Sequence, residues 1–204
     1  MNKKMMIGTV CLGLLLAGCT SNNKSLENQA QTSNSSIKQT TPTDSGTIAS
    51  DSTKTSQIKV TVDEAIKAYE AAYPNTAVTS LDLDPSFGIY YYEIKGVDDS
   101  KEYEVKIHAE TGELTKDREE TLDQDEQNGV EKKNEALDLT KLKSLDEASK
   151  IAQDTVGEGT AIEWSLERDL SITYWEVKVQ AGKKEVSVKI NAQTGDVLEQ
   201  ELDD

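Results

Sequence analysis

His108 is the only histidine in the 204-residue chain, and any histidine-centred acid–base, nucleophilic or metal site would have to start from it. Such chemistry needs companions, and the spacing nominates none: no Gly-x-Ser-x-Gly elbow accompanies it. It alternates out of phase with the apolar Val105 and Ile107, so it reads as a polar residue on the solvent side of a strand. A hydrolase would require His108 beside a buried acid and a nucleophile, and that alternative stays open. Asp123, Asp125 and Gln127 have the spacing that opens a calcium loop, but Asn128 stands where the loop needs glycine and Asn134 where it needs an acid. Both thiols, Cys11 and Cys19, fall in the first nineteen residues, which leaves no disulfide and no cysteine cluster for the rest of the chain. Phosphate loops and dinucleotide fingerprints are absent. The expectation is a chain without catalytic residues, metal site or small-molecule cofactor.

Cys19 has chemistry of another kind. Lys3-Lys4 precedes an apolar run from Met5 to Ala17 that ends in Leu16-Ala17-Gly18-Cys19. This resembles the lipobox of bacterial lipoproteins, in which small residues fit the signal peptidase and the cysteine thiol takes a diacylglycerol. The resemblance implies that residues 1–18 are a signal peptide, that Cys19 becomes the first residue and carries acyl chains such as palmitate, and that Cys11 leaves with the signal. Two acyl chains anchor stably where one is marginal. An uncleaved anchor would need ~20 apolar residues, which this run does not reach.

The composition narrows the partners. Only 35% of residues are hydrophobic and the net charge is −16, more acidic still once Lys3 and Lys4 are removed. Such a surface repels nucleic acid and anionic lipid heads, stays soluble, and favours cationic partners or loosely held cations. Residues 19–57 are Ser, Thr, Asn and Gln with few large apolar groups, so they cannot offset their ordering entropy and read as a disordered tether. A coil of that length has a root-mean-square span of about 33 Å.

Beyond the tether the chain repeats itself. Lys101 to Leu114 returns almost residue for residue at Lys184 to Val197. In each copy alternating hydrophobes predict a strand, and Gly112 or Gly195 supplies the positive φ of a hairpin, so each copy reads as strand, tight turn, strand. The constant offset of 83 extends back through Tyr92 with Trp175, Glu93 with Glu176, and Glu64 with Glu147. Thr61-Val62-Asp63-Glu64 and Ser144-Leu145-Asp146-Glu147 are capping boxes that start two helices. Val62, Ala65, Ile66, Tyr69, Ala72 and Tyr73 form one apolar stripe, and Leu145, Ala148, Ala152 and Val156 the other. Pro74 and Gly157 are the stops. Strands follow at 77–83 and 89–95, and again at 161–166 and 172–179. The predicted class is α+β, two tandem small modules at 58–116 and 142–204, each one helix packed on an antiparallel sheet. The charged stretch 117–141 between them reads as a linker.

The order helix, antiparallel strands and a final strand ending in Ile107-His108-Ala109-Glu110-Thr111-Gly112-Glu113-Leu114, with Ile190-Asn191-Ala192-Gln193-Thr194-Gly195-Asp196-Val197 in the second copy, resembles the PepSY domain. The family often has Asp where this chain has His108 and Asn191, which bears on a turn hydrogen bond. PepSY modules occur in propeptides of thermolysin-like metalloproteases and in bacterial envelope proteins, and the resemblance implies an inhibitory or peptidase-regulating role. Nothing follows Asp204, so a protease partner is expected to be a separate molecule.

Strand phase divides the aromatic residues. Tyr92 and Ile94, Trp175, Val177 and Val179, and Trp164 with Ile162 and Leu166, are expected in the core. The other phase holds Ile89, Tyr91, Glu93 and Lys95 in one copy and Ile172, Tyr174, Glu176 and Lys178 in the other. With a helix on one side only, Ile89, Tyr91, Ile172 and Tyr174 form a candidate binding face for an extended polypeptide, on the face or by strand addition at its edge. The competing expectation is that the tyrosines merely pack on lysine stems. The functional expectation is a non-enzymatic, lipid-anchored binding or regulatory module at the outer face of a bacterial cytoplasmic membrane, Gram-positive in the light of the long polar stalk. Its partner would be an envelope protein or a secreted peptidase; the alternative is a structural or stress-related envelope component.

Overall fold

The computed structural model describes residues 57–203. The signal segment, Cys19 and the tether up to residue 56 lie outside the described residues. In chain order the elements are α1 (Val62–Ala72), β1 (Ala77–Ser86), β2 (Ile89–Val97), β3 (Lys101–His108), β4 (Leu114–Thr121), α2 (Val130–Glu135), α3 (Leu145–Val156), β5 (Thr160–Asp169), β6 (Ile172–Ala181), β7 (Lys184–Asn191) and β8 (Val197–Asp203).

Both capping boxes close. The Thr61 amide donates to Glu64 Oε2 at 2.8 Å and the Ser144 amide to Glu147 Oε2 at 2.9 Å, while each cap hydroxyl accepts from the Glu amide. Each cap hydroxyl also donates to the same Oε2, at 2.9 and 3.0 Å, and these two donors hold both carboxyls below their ordinary range, the backbone amide first and the cap hydroxyl second. α1 ends before Pro74, and α3 ends at Gly157 with φ 87.

The segment ahead of each helix is fixed the same way in both copies. Val60 donates to the Ala109 carbonyl at 2.9 Å, and Lys143 to the Ala192 carbonyl at 2.7 Å. From the sheet, Tyr92 Oη donates to the Val60 carbonyl at 2.6 Å, and Trp175 Nε1 to the Lys143 carbonyl at 3.1 Å. Two different aromatic residues therefore perform one task at one repeat position. It also accounts for the alanine of the turn motif: Ala109 and Ala192 are fully buried beneath that entering chain.

The two tandem modules are present, each a helix over a four-stranded antiparallel meander, and they are joined edge to edge. One eight-stranded sheet results, in the order β4-β3-β2-β1-β5-β6-β7-β8. At the seam Leu81 pairs with Leu166, Asp82 with Ser165, and Leu83 with Trp164. Since each repeat position recurs 83 residues later, Leu81 faces the counterpart of Leu83 and the reverse. The seam is thus a local two-fold contact of the kind that joins identical subunits.

α1 and α3 cover the same face of this sheet, and one continuous apolar cluster runs beneath them through Leu81, Leu83, Tyr92, Ile94, Trp164, Leu166, Trp175 and Val177. Packing is exchanged between the copies rather than copied. Tyr69 lies over Gly96, where a Cβ would collide with its hydroxyl and with the Ala77 carbonyl; the same two positions in the second copy are Ala152 and Val179. Trp164 Nε1 donates to Ser149 Oγ at 2.8 Å, where the first copy has Leu81 and Ile66. Large is set against small on opposite layers, as close packing demands.

Two sequence expectations change. A bulge between Ala161 and Glu163, matched by one between Val78 and Ser80, takes Ile162 out of alternation with Trp164. The charged stretch expected to be linker begins as a strand, because β4 runs to Thr121 as an exposed edge. It then forms α2 and returns along the fold. There Leu137 is buried and its amide donates to the Val78 carbonyl at 2.9 Å.

Candidate functional site

The face of the sheet away from the helices carries the residues set apart by strand phase. Cross-strand pairing places Tyr91 between Asp84 and His108, Glu93 between Asp82 and Lys106, and, in the second half, Tyr174 between Glu167 and Asn191, and Glu176 between Ser165 and Lys189. Rows of lysine and glutamate brace the surface. Lys106 pairs with Glu93, Lys189 with Glu199 at 3.0 Å and Glu176 at 3.8 Å, and Lys178 with Glu163 at 3.0 Å.

The four residues expected to form a binding face have different environments. Ile89 and Ile172 are each 43% exposed. Tyr91 is half-buried, edge-on to the His108 ring at 5.1 Å with Lys106 Nζ 5.1 Å from its centroid. Tyr174 is only 8% exposed, donates to Glu167 Oε2 at 2.7 Å and has Lys189 Nζ 5.7 Å from its ring. Burial first, and then that bond to Glu167, push the Tyr174 hydroxyl well above its ordinary range.

Between the tyrosines, at the seam, lies an acidic centre. Burial pushes Asp82 from 3.8 up to about 6, reinforced by the charge on Glu167 and offset by Lys95. Burial and the charges on Glu93 and Glu163 raise Asp84, and burial raises Glu176. A concentration of poorly solvated carboxylates favours a cationic contact over an anionic one.

His108 serves the turn. Its Nδ1 accepts from the Glu110 amide at 3.1 Å, the place taken in the second copy by Asn191 Oδ1, which accepts from Gln193 and Thr194 at 3.0 and 2.9 Å. The hydrogen bond put in question by the loss of aspartate is therefore made by other atoms. Among the described residues no group of three or more histidine, cysteine, aspartate or glutamate side chains could hold a metal ion, and no helix is long and apolar enough to cross a membrane.

Sequence reasoning passed over the hairpin tips. Phe87 and Leu170 occupy equivalent positions at the β1–β2 and β5–β6 turns, are 105% and 90% exposed, and have φ of 51° and 50°. Bulky side chains in the left-handed region are costly, and a turn of this kind ordinarily takes Asn or Gly. The available signal was a hydrophobe beside Gly88 and Ser171 in what otherwise reads as a tight turn.

Comparison with known proteins agrees with this architecture. Residues 59–118 and 143–201 match the PepSY family, described as peptidase propeptide and YPEB domain. The chain is also similar to a solved structure of a candidate lipoprotein from Clostridium difficile 630, with 33% sequence identity and a TM-score of 0.68, covering 72% of this chain and 95% of that one. No curated protein matches significantly. With two matched regions that together span more than half its length, each a capped helix over a four-stranded meander, the chain belongs to the PepSY family.

Proposed function

We propose that this chain is an exported lipoprotein, anchored through Cys19 to the outer face of the cytoplasmic membrane, whose folded part is a non-catalytic module that binds an extended polypeptide. The lipobox at residues 16–19, the description of the Clostridium difficile structure as a candidate lipoprotein, and a family described as peptidase propeptides support this reading. The observation that carries it is the open face: half-buried Tyr91 and the exposed Ile89 and Ile172 flank an acidic centre that suits a basic segment. A separate peptidase or another envelope protein is the partner class, and the effect on a peptidase would be exerted in trans. Two repeats on one rigid sheet can hold one ligand at two points and so raise its effective concentration.

The test replaces Ile89, Tyr91 and Ile172 by alanine, leaving Tyr174 with its bond to Glu167. Cross-linking on cells from a photoreactive residue at position 93 should capture a polypeptide that the triple variant no longer captures. Addition of the purified chain to the organism's secreted proteases should change the rate of at least one. A folded triple variant that retains every interaction removes the reading.

A second reading, an envelope component without a specific partner, is favoured by one observation. Lys106 and Lys189 already lie over Tyr91 and Tyr174, so both rings have partners within the chain.

A further inference from the structure

The two-fold character of the seam places two equivalent slots at its ends, and they are not equally filled. At one end the chain's own returning segment lies in the slot. Leu137 donates to the Val78 carbonyl, Asp138 donates to Thr173 Oγ1 at 2.9 Å, and Arg168 Nη1 donates to the Ala136 carbonyl at 2.8 Å. At the other end the counterparts of Arg168 and Thr173 are Pro85 and Tyr90. There Tyr90 is buried where the twin has the smaller Thr173, its hydroxyl donating to the Ile162 carbonyl at 3.0 Å, and with it Pro85, Gln57, Gly88, Ile162 and Gln180 line an open cavity of about 380 Å³. Ile89, 43% exposed, lines an adjoining cavity that shares Gln57, Gly88 and Tyr90, and the fully exposed Phe87 precedes Gly88 in the chain.

We infer that this second slot is a docking site for an extended segment of a partner polypeptide that inserts a leucine-sized side chain, as Leu137 is inserted at the twin. The position where the chain itself enters argues for an outside occupant. Gln57 lines the cavity, yet the residues standing at the repeat positions of Leu137, Leu139 and Leu142 are Lys54, Ser56 and Lys59, which offer no apolar group. The net charge of −16 favours a segment with an excess of basic residues. The inference rests on the reading of the chain as a polypeptide binder, but it uses the end of the seam rather than the open face.

The probe is a labelled peptide of the twin's own occupant, Ala136–Lys143, titrated with the full chain by fluorescence anisotropy. Saturable binding is expected. It should weaken about tenfold or more when the peptide's leucine is changed, Leu137→Asp, and when Gln180→Trp in the protein fills the cavity. Tyr91→Ala should leave it unchanged. If Gln180→Trp shifts the urea midpoint, Pro85→Lys takes its place. No binding, or binding indifferent to both slot variants, overturns the inference. Binding that Tyr91→Ala abolishes and the slot variants spare overturns it too, leaving the open-face reading intact. Binding seen only after deletion of residues 47–56 assigns the slot to the chain's own tether and also overturns it.

Discussion

Asp82 lies directly opposite Ser165, its own counterpart in the other repeat, on the line about which the two halves of the sheet are related. An identical residue there would set two carboxylates face to face. Serine removes one charge from the most crowded point of the surface. Glu93 and Glu176 already flank the pair, and the next positions along the two strands are Asp84, Glu163 and Glu167.

The first prediction concerns the remaining carboxylate. Because folding raises Asp82 from 3.8 to about 6, the folded state binds its proton more tightly, and stability falls as pH rises through that window. Asp82→Asn should therefore stabilise the protein at pH 7 by about 1 kcal/mol after solvent screening, with the gain fading towards pH 4. Urea unfolding of both proteins across pH 4–8 checks it; a gain that is constant with pH would show that charge is not the cause.

A second prediction addresses the helix entrance. Tyr92→Phe keeps the ring but leaves the Val60 carbonyl without its donor, and should cost about 1–2 kcal/mol. The loss is read as a lower unfolding midpoint together with faster exchange of the Val60 amide, which bonds to the turn at Ala109.

The exchanged packing of Tyr69 and Gly96 gives a third. Gly96→Val alone should destabilise by about 3 kcal/mol because the new side chain meets the Tyr69 hydroxyl and the Ala77 carbonyl. Combined with Tyr69→Ala, which reproduces the Ala152 and Val179 pair, part of the loss should return. Additive costs in the double variant would mean the two sites do not share space.

A fourth follows from the hairpin tips. Phe87→Asn and Leu170→Asn put a residue suited to positive φ where a bulky one now sits, and each should raise stability by about 1 kcal/mol. If Phe87 serves the adjoining slot, Phe87→Asn weakens peptide binding while Leu170→Asn leaves it unaltered.

Much of this fold is legible in the residues. The capping boxes, the apolar stripes of α1 and α3, the constant offset and the glycine hairpins are local signals, and each forms as the sequence indicates. The strand expected after the Gly112 turn is there, but its run on to Thr121 escapes because Thr115 to Thr121 is an exposed edge with nearly every side chain solvated, so it lacks the alternation that marks a half-buried strand. The seam escapes for a different reason. Leu81, Asp82 and Leu83 alternate identically whether β1 is an edge or has a neighbour, since alternation reports faces and not edges. Burial of Tyr174 depends on Glu167 and Lys189, brought alongside from β5 and β7 by register alone.

The fusion of the repeats into one sheet is most directly tested by hydrogen exchange at the seam. The amides of Leu81, Leu83, Trp164 and Leu166 should be protected to the same level as those of Ile94 and Val177 inside the two halves, so that they open only on global unfolding. Seam amides that exchange with far lower protection while the interiors hold would show two independent modules in contact, and a binding surface continuous across them would go.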